Sequence, residues 1–399
     1  MTITSETNEP MQISTFGLST LAELVDDMVI YRSLEPLDNH VIGLKRARFQ
    51  MGIHSSDIPR KLERDYAKAA IWFVEQFHEV LGRPGEIQEL LFVGDTLSGD
   101  GQAFRNIISR SGWRGSCLIV NERPDLAPNI DLSNPEDVVE ANRWSHVGEW
   151  LTALRSQGFQ LDQTTGVVLD LDKTAIGARG RNDKAIDKAR LSGIFQTMHS
   201  VLGDNFNQAA FEKDYDTLNR PHFHVLTGDN QDYLGYICMV INGGVASLDE
   251  IIAEVETNSL RSFEHFIRWI EVRIKNGNCA NEDLRQAHEA VLTSVQNGDP
   301  TPFKRFRRAE FLATLAHMNN LPDDAPLAQR LTDEITITQE VREAALWLKK
   351  RGCLVISMSD KPDEASCPDR RFSADKPPIH RAQTHCVGVS VQSVLDQIA

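Results

Sequence analysis

The segment Val167-Val168-Leu169-Asp170-Leu171-Asp172-Lys173-Thr174 concentrates groups that can do chemistry. An apolar run ends in a carboxylate, a second carboxylate follows two residues on, and a hydroxyl two further. In open α/β sheets, ligands bind beyond the carboxyl ends of the strands. A carboxylate placed there, Asp170, can attack phosphorus and become an aspartyl-phosphate. Asp172, presented from the following turn, can protonate a leaving oxygen and later activate water. The plain alternative is an acidic pair at a solvated strand end. A second segment, Phe92-Val93-Gly94-Asp95-Thr96-Leu97-Ser98-Gly99-Asp100, also puts acids after an apolar run. Oxygen-only donors suit a hard cation. An Asp-Gly surface turn does not explain the buried run before it. In the third, Ile356-Ser357-Met358-Ser359-Asp360-Lys361-Pro362, two hydroxyls and an amine follow another apolar run; alone, it also reads as a Ser-Asp turn.

Together the three segments resemble the phosphohydrolases of the haloacid dehalogenase (HAD) superfamily. Asp170 to Thr174 is similar to motif I, D-x-D-x-T. Gly94-Asp95 with Asp100 is similar to motif IV, and Ala103-Phe104, Ile107 and Gly112 extend that match. Ser359-Asp360-Lys361-Pro362 is similar to the T-N-K-P of motif II, which favours Ser359 over Ser357 as the phosphoryl-holding hydroxyl. The resemblance implies Asp170 as nucleophile and Asp172 as acid/base. It implies Mg²⁺ held by Asp170, Asp172 (through its backbone carbonyl) and Asp95, with Asp100 as ligand or support. It also implies Thr174, Ser359 and Lys361 around the phosphate. The motif III lysine is expected at the start of the helix before the motif IV strand, which points to Lys61, with Lys361 and Lys376 as rivals. Arg179 and Arg181 follow motif I and are candidates for substrate contact. The superfamily order is I to IV, whereas here motif IV comes first and motif II last. A circular permutation accounts for this, with the old ends joined around residues 157–165.

The elements that must position these residues follow from periodicity. Leu90–Val93, Cys117–Val120, Gly166–Leu169 and Cys353–Ile356 are short runs without polar alternation, as in a parallel sheet covered on both faces. Helices are expected over 18–32, 58–81, 101–111, 136–157 and 341–350, with a last strand near 386–389. In helix 58–81, Leu62, Tyr66, Ala70, Phe73, Phe77 and Val80 form one apolar face. The fold class is thus α/β: a Rossmann-like core over 16–182 and 336–399, interrupted by a helical, C1-type cap insert over 183–335. Residues 1–15 are expected to be a disordered tail.

Composition narrows the rest. The 399 residues are 41% hydrophobic and 25% charged, as in an ordinary globular chain. A formal net charge of −15 argues against nucleic acid and against an anionic membrane surface as partners. No apolar run is long enough to span a bilayer. No two of the six cysteines are near neighbours, and no basic-then-apolar leader opens the chain, so a cytoplasmic location is expected. His222 and His224 lack a third ligand at metal spacing. Thr227-Gly228-Asp229-Asn230 imitates motif IV inside the insert and reads as a turn. Lys304-Arg305 and Arg307-Arg308 read as a solvated helix face or, more sharply, as recognition of a substrate phosphate or acid. The expected activity is Mg²⁺-dependent hydrolysis of a small phosphorylated metabolite. A phosphomutase uses the same residues. A non-catalytic binding protein that retains the fold is the alternative from another class.

Overall fold

Continuous apolar runs become strands buried on both faces. The computed structural model describes residues 12–228 and 230–398. Nine strands occur among them: β1 (Ser14–Ser19), β2 (Val29–Ile30), β3 (Glu89–Gly94), β4 (Arg114–Val120), β5 (Val138–Ala141), β6 (Thr165–Leu169), β7 (Ile337–Thr338), β8 (Leu354–Met358) and β9 (Thr384–Gly388). The main sheet has six strands in the order β2-β8-β6-β3-β4-β5, all parallel. Every residue of β3, β6 and β8 is buried. Successive side chains point to opposite faces. Phe92, Cys117, Val168 and Ile356 pack with Phe73, Phe77 and Phe104 from helices Arg64–Val80 and Gln102–Ser111. On β4, Ser116 points the other way and accepts from Trp150 Nε1 at 2.8 Å, on helix Val147–Ser156.

Register decides what emerges at the sheet edge. Val93 lies beside Leu169, and Leu169 beside Ser357. The carboxyl ends of β3, β6 and β8 are therefore level, and the residues after them leave from one edge. The chain runs from β3 outward to β4 and β5, then returns to β6, which continues to β8 on the other side. The β3/β6 boundary is thus the reversal point of the sheet, where α/β folds open a crevice. A second, three-stranded sheet has the order β1-β9-β7, with β1 antiparallel and β7 parallel to β9.

Several expectations need correction. The expected tail lies outside the described residues as far as residue 11, but Ser14–Ser19 form β1. The helix expected over 18–32 is a single turn, Ala22–Val25, followed by β2. Its inward positions Leu21, Leu24, Val25 and Met28 are nevertheless all buried. The segment 136–157 contains strand β5 before its helix. Helix 58–81 begins only at Arg64, so Lys61 precedes its first turn; Glu63 occupies the N-cap without a side-chain bond. The strand near 386–389 is β9, which belongs to the small sheet.

The chain divides into two compact units. The first holds both sheets and comprises residues up to 187, 314–366 and 376 onward; the second comprises 188–313 and 367–375. The second unit is helical around Phe211, Tyr236, Phe263, Phe266 and Ile270. In it, buried Arg307 pairs with Asp232 and Glu310, each at 2.6 Å. Residues 314–335, placed in the insert on sequence grounds, belong to the first unit. There Arg330 is fully buried against Glu334 and within 2.6 Å of His385 Nδ1. Residues 367–375 were not expected in the helical unit. Asp369 reaches Arg308 at 2.8 Å, which ties that segment to helix Lys304–Ala316.

Candidate active site

Three carboxylates meet where β3 and β6 end. Asp95, Asp100 and Asp170 are buried, and one oxygen of each lies within 4.8 Å of the others. Asp170 is the first residue after β6, and its N–H donates to Val93 O at 3.0 Å, so the ladder to β3 continues to this residue. Asp100 returns to the sheet edge through a wide turn over Leu97–Gly101. Its Oδ2 accepts from the N–H of Asp95 at 3.0 Å, from the N–H of Thr96 at 3.1 Å and from Thr96 Oγ1 at 3.1 Å. Gly94 makes that turn feasible: a Cβ there would sit 2.5 Å from the Asp100 side chain.

Lys61 completes the cluster. Its Nζ donates to Asp170 Oδ1 at 2.6 Å and to Asp100 Oδ1 at 2.7 Å. Burial disfavours its charge, but Asp100 and Asp170 outweigh that and hold Lys61 firmly protonated. Burial likewise pushes Asp170 well above the ordinary carboxylate range, against the pull of Lys61. Asp100 ends below that range, because Lys61 and the Thr96 and Asp95 amides outweigh its burial. Asp95 is pushed up to about 7 by burial and by the Asp100 charge, which Arg179 and Lys61 only partly offset. The site holds more carboxylate than its cations neutralise.

The other candidates surround this cluster. Arg179 Nη1 contacts Asp95 Oδ2 at 2.8 Å. Lys361 Nζ lies 3.1 Å from Asp172 Oδ2, and its N–H donates to Ser359 Oγ at 3.2 Å. Ser359 is buried just beyond β8, and its N–H donates to Ile30 O at 3.0 Å. Ser357 instead spends its hydroxyl on Leu169 O at 2.9 Å, inside the sheet. Thr174 is fully buried, and its Oγ1 has no hydrogen-bond partner among the described residues. The carboxylate of Asp172 lies outside the three-acid cluster.

Some candidates separate from the site. Arg181 is buried between Glu122 at 2.6 Å and Glu340 at 2.8 Å, a structural role. Lys376 is exposed. His222 and His224 are exposed on the helical unit, and Asp229 of the motif IV imitation lies outside the described residues. Sequence reading missed the segment after β2. There the N–H of Arg32 donates to Lys361 O at 3.2 Å, and Ser33 Oγ donates to Asp363 at 2.6 Å. No spacing marked it, because its apolar residues follow a helical period.

The donor set fits a hard divalent cation, being oxygen throughout with neither His nor Cys. Two ligands on opposite sides of one Mg²⁺ lie at most about 4.2 Å apart, close to the 4.8 Å within which the three oxygens lie. Added positive charge also answers the carboxylate excess. No family model matches the chain, and no curated protein or solved structure is similar to it.

Proposed function

We propose that the protein is a Mg²⁺-dependent phosphatase of HAD type, with a circularly permuted core, acting on a small phosphate ester. The observation that carries this reading is Lys61, whose ammonium joins Asp170 to Asp100 beside Asp95 at the reversal point of the sheet. That arrangement presents one carboxylate with a fixed counter-charge and leaves two more acids to hold metal. Asp95, Asp100 and Asp170 would hold the cation, which supplies charge screening between a phosphate dianion and these acids.

The remaining steps belong to the chain. An Asp170 oxygen attacks phosphorus, and the ester P–O bond breaks. Asp172 gives its proton to the departing alkoxide, then takes one from water. That water attacks phosphorus, releases inorganic phosphate and restores Asp170. Ser359, Lys361 and Thr174 orient the phosphoryl oxygens, and Lys61 keeps Asp170 in place. The helical unit, inserted in the sequence mainly between Asp170 and Ser359, would serve as the cap of such a phosphatase.

The test is hydrolysis of an aryl phosphate with Mg²⁺ and with a chelator, in wild type and Asp170→Asn. Chelator-sensitive turnover that Asp170→Asn abolishes with an unchanged circular-dichroism spectrum is the expected result. Turnover by Asp170→Asn near the wild-type rate rejects Asp170 as nucleophile.

A further inference from the structure

We propose that Arg179 is an internal counter-cation that holds Asp95 until a divalent cation replaces it. Metal uptake and release of the guanidinium are then one exchange. The proposal rests on the phosphatase reading for the cation itself, but concerns a residue that reading leaves without a defined task.

The three acids are compensated unequally. Asp100 has Lys61 and the three donors from Asp95 and Thr96, and Asp170 has Lys61. The side chain of Asp95 meets the guanidinium of Arg179 at 2.8 Å. A divalent ion bound to Asp95 places a second cation against that guanidinium, and like charges at such range repel strongly in a poorly hydrated site. The two cations therefore compete for Asp95.

The local fold determines which part can move. The Arg179 backbone is fixed at both ends: its N–H donates to Lys173 O at 2.8 Å, and its carbonyl accepts from the Glu122 N–H at 3.1 Å and from Trp144 Nε1 at 3.3 Å. Gly180 adds a close approach, since a Cβ there would lie 1.9 Å from Glu122 O at a φ of +79°. The side chain has a route outward. It is 33% exposed, against 8% for Asp95. A fixed backbone, a long partly solvated side chain and a buried acid make the contact separable without moving the sheet.

Arginine-labelled protein (¹⁵N) and calorimetry test this on the full chain. The guanidinium resonance of Arg179 is assigned by its loss in Arg179→Gln, and Mg²⁺ is then titrated into wild type. The resonance is expected to move with the same midpoint as the calorimetric binding curve. Arg179→Gln is expected to bind Mg²⁺ about tenfold tighter, within the usual range for coupled sites. Arg179→Lys, which keeps the charge on a shorter reach, should fall between the two. An unmoved resonance at saturation, or an Arg179→Gln affinity within about twofold of wild type, overturns the exchange and leaves the phosphatase reading standing. Mg²⁺ binding by Arg179→Gln alone supports the exchange in its strongest form. Binding by neither protein removes both readings.

Discussion

Replacing Lys61 by Met tests whether the cluster is one electrostatic unit. The change keeps most of the side-chain volume and deletes the ammonium that donates at 2.6 Å to Asp170 and at 2.7 Å to Asp100. Breaking a buried pair by removing one partner costs about 3–5 kcal/mol. Two hydrogen bonds to charged groups, at about 1.5–3 kcal/mol each, give a similar sum. Asp100 retains its donors from Asp95 and Thr96, so Asp170 carries most of the loss. Of the six tryptophans, all but Trp269 belong to the α/β unit, so their fluorescence follows that unit during urea unfolding. With an m-value of about 3 kcal/mol/M for a unit of this size, the midpoint should fall by roughly 1 M or more. Adding Asp170→Asn should recover part of it, because the second substitution removes the buried acid that has lost its Lys61 partner. A Lys61→Met midpoint within about 0.3 M of wild type, or strict additivity with Asp170→Asn, would refute the reasoning.

Gly94→Ala forces a Cβ to within 2.5 Å of an Asp100 side chain already fixed by Lys61; a loss of about 1–3 kcal/mol in urea stability is expected. Ser357→Ala should cost about 1 kcal/mol of stability and leave the KM for a phosphate ester unchanged, because its hydroxyl serves Leu169 O. Ser359→Ala, which also removes the acceptor of the Lys361 N–H, should cost a similar amount of stability but raise KM; in steady-state kinetics, a raised KM in Ser357→Ala and an unchanged one in Ser359→Ala would exchange the two roles. Without metal, native Asp95 keeps a proton up to about pH 7, whereas its ordinary value is 3.8. The folded state then binds more protons than the unfolded chain between these values, so this group's contribution to stability falls as pH rises from about 4 to about 7. Mg²⁺ binding near pH 6 should release a proton, read as a buffer-dependent heat in calorimetry.

Residues whose signal was local were legible in the sequence. β3, β4, β6 and β8 stand out because strands covered on both faces are apolar without alternation, and no helix of that length stays apolar all round. β5 is short, alternates buried and exposed residues as VVEA, and continues into a helix, so its sequence suits both states. At Leu21, Leu24, Val25 and Met28 the helical spacing is real, yet all four are buried through a single turn and β2, where tertiary packing overrides period. Lys61 was expected in the first turn of a helix over 58–81, but it reaches Asp170 from the turn before the helix, a placement that depends on contacts far away in sequence. The pairing of Asp369 with Arg308 likewise has no local signature.

The small sheet has a consequence for how the chain is made. β1 pairs with β9, so Ser14 meets Gly388, and that partner is translated nearly the whole chain later. At about 5–20 residues per second, roughly 20–75 s separate their emergence from the ribosome. β8, the neighbour of both β2 and β6, also arrives late, after residues 188–313 of the helical unit. The helical unit, nearly contiguous from 188 to 313, can acquire its own core first. The α/β unit must wait, with β6 exposing an apolar strand edge until β8 emerges. For the nascent chain, the period of exposure is set by the length of the segment between β6 and β8, a property of this topology.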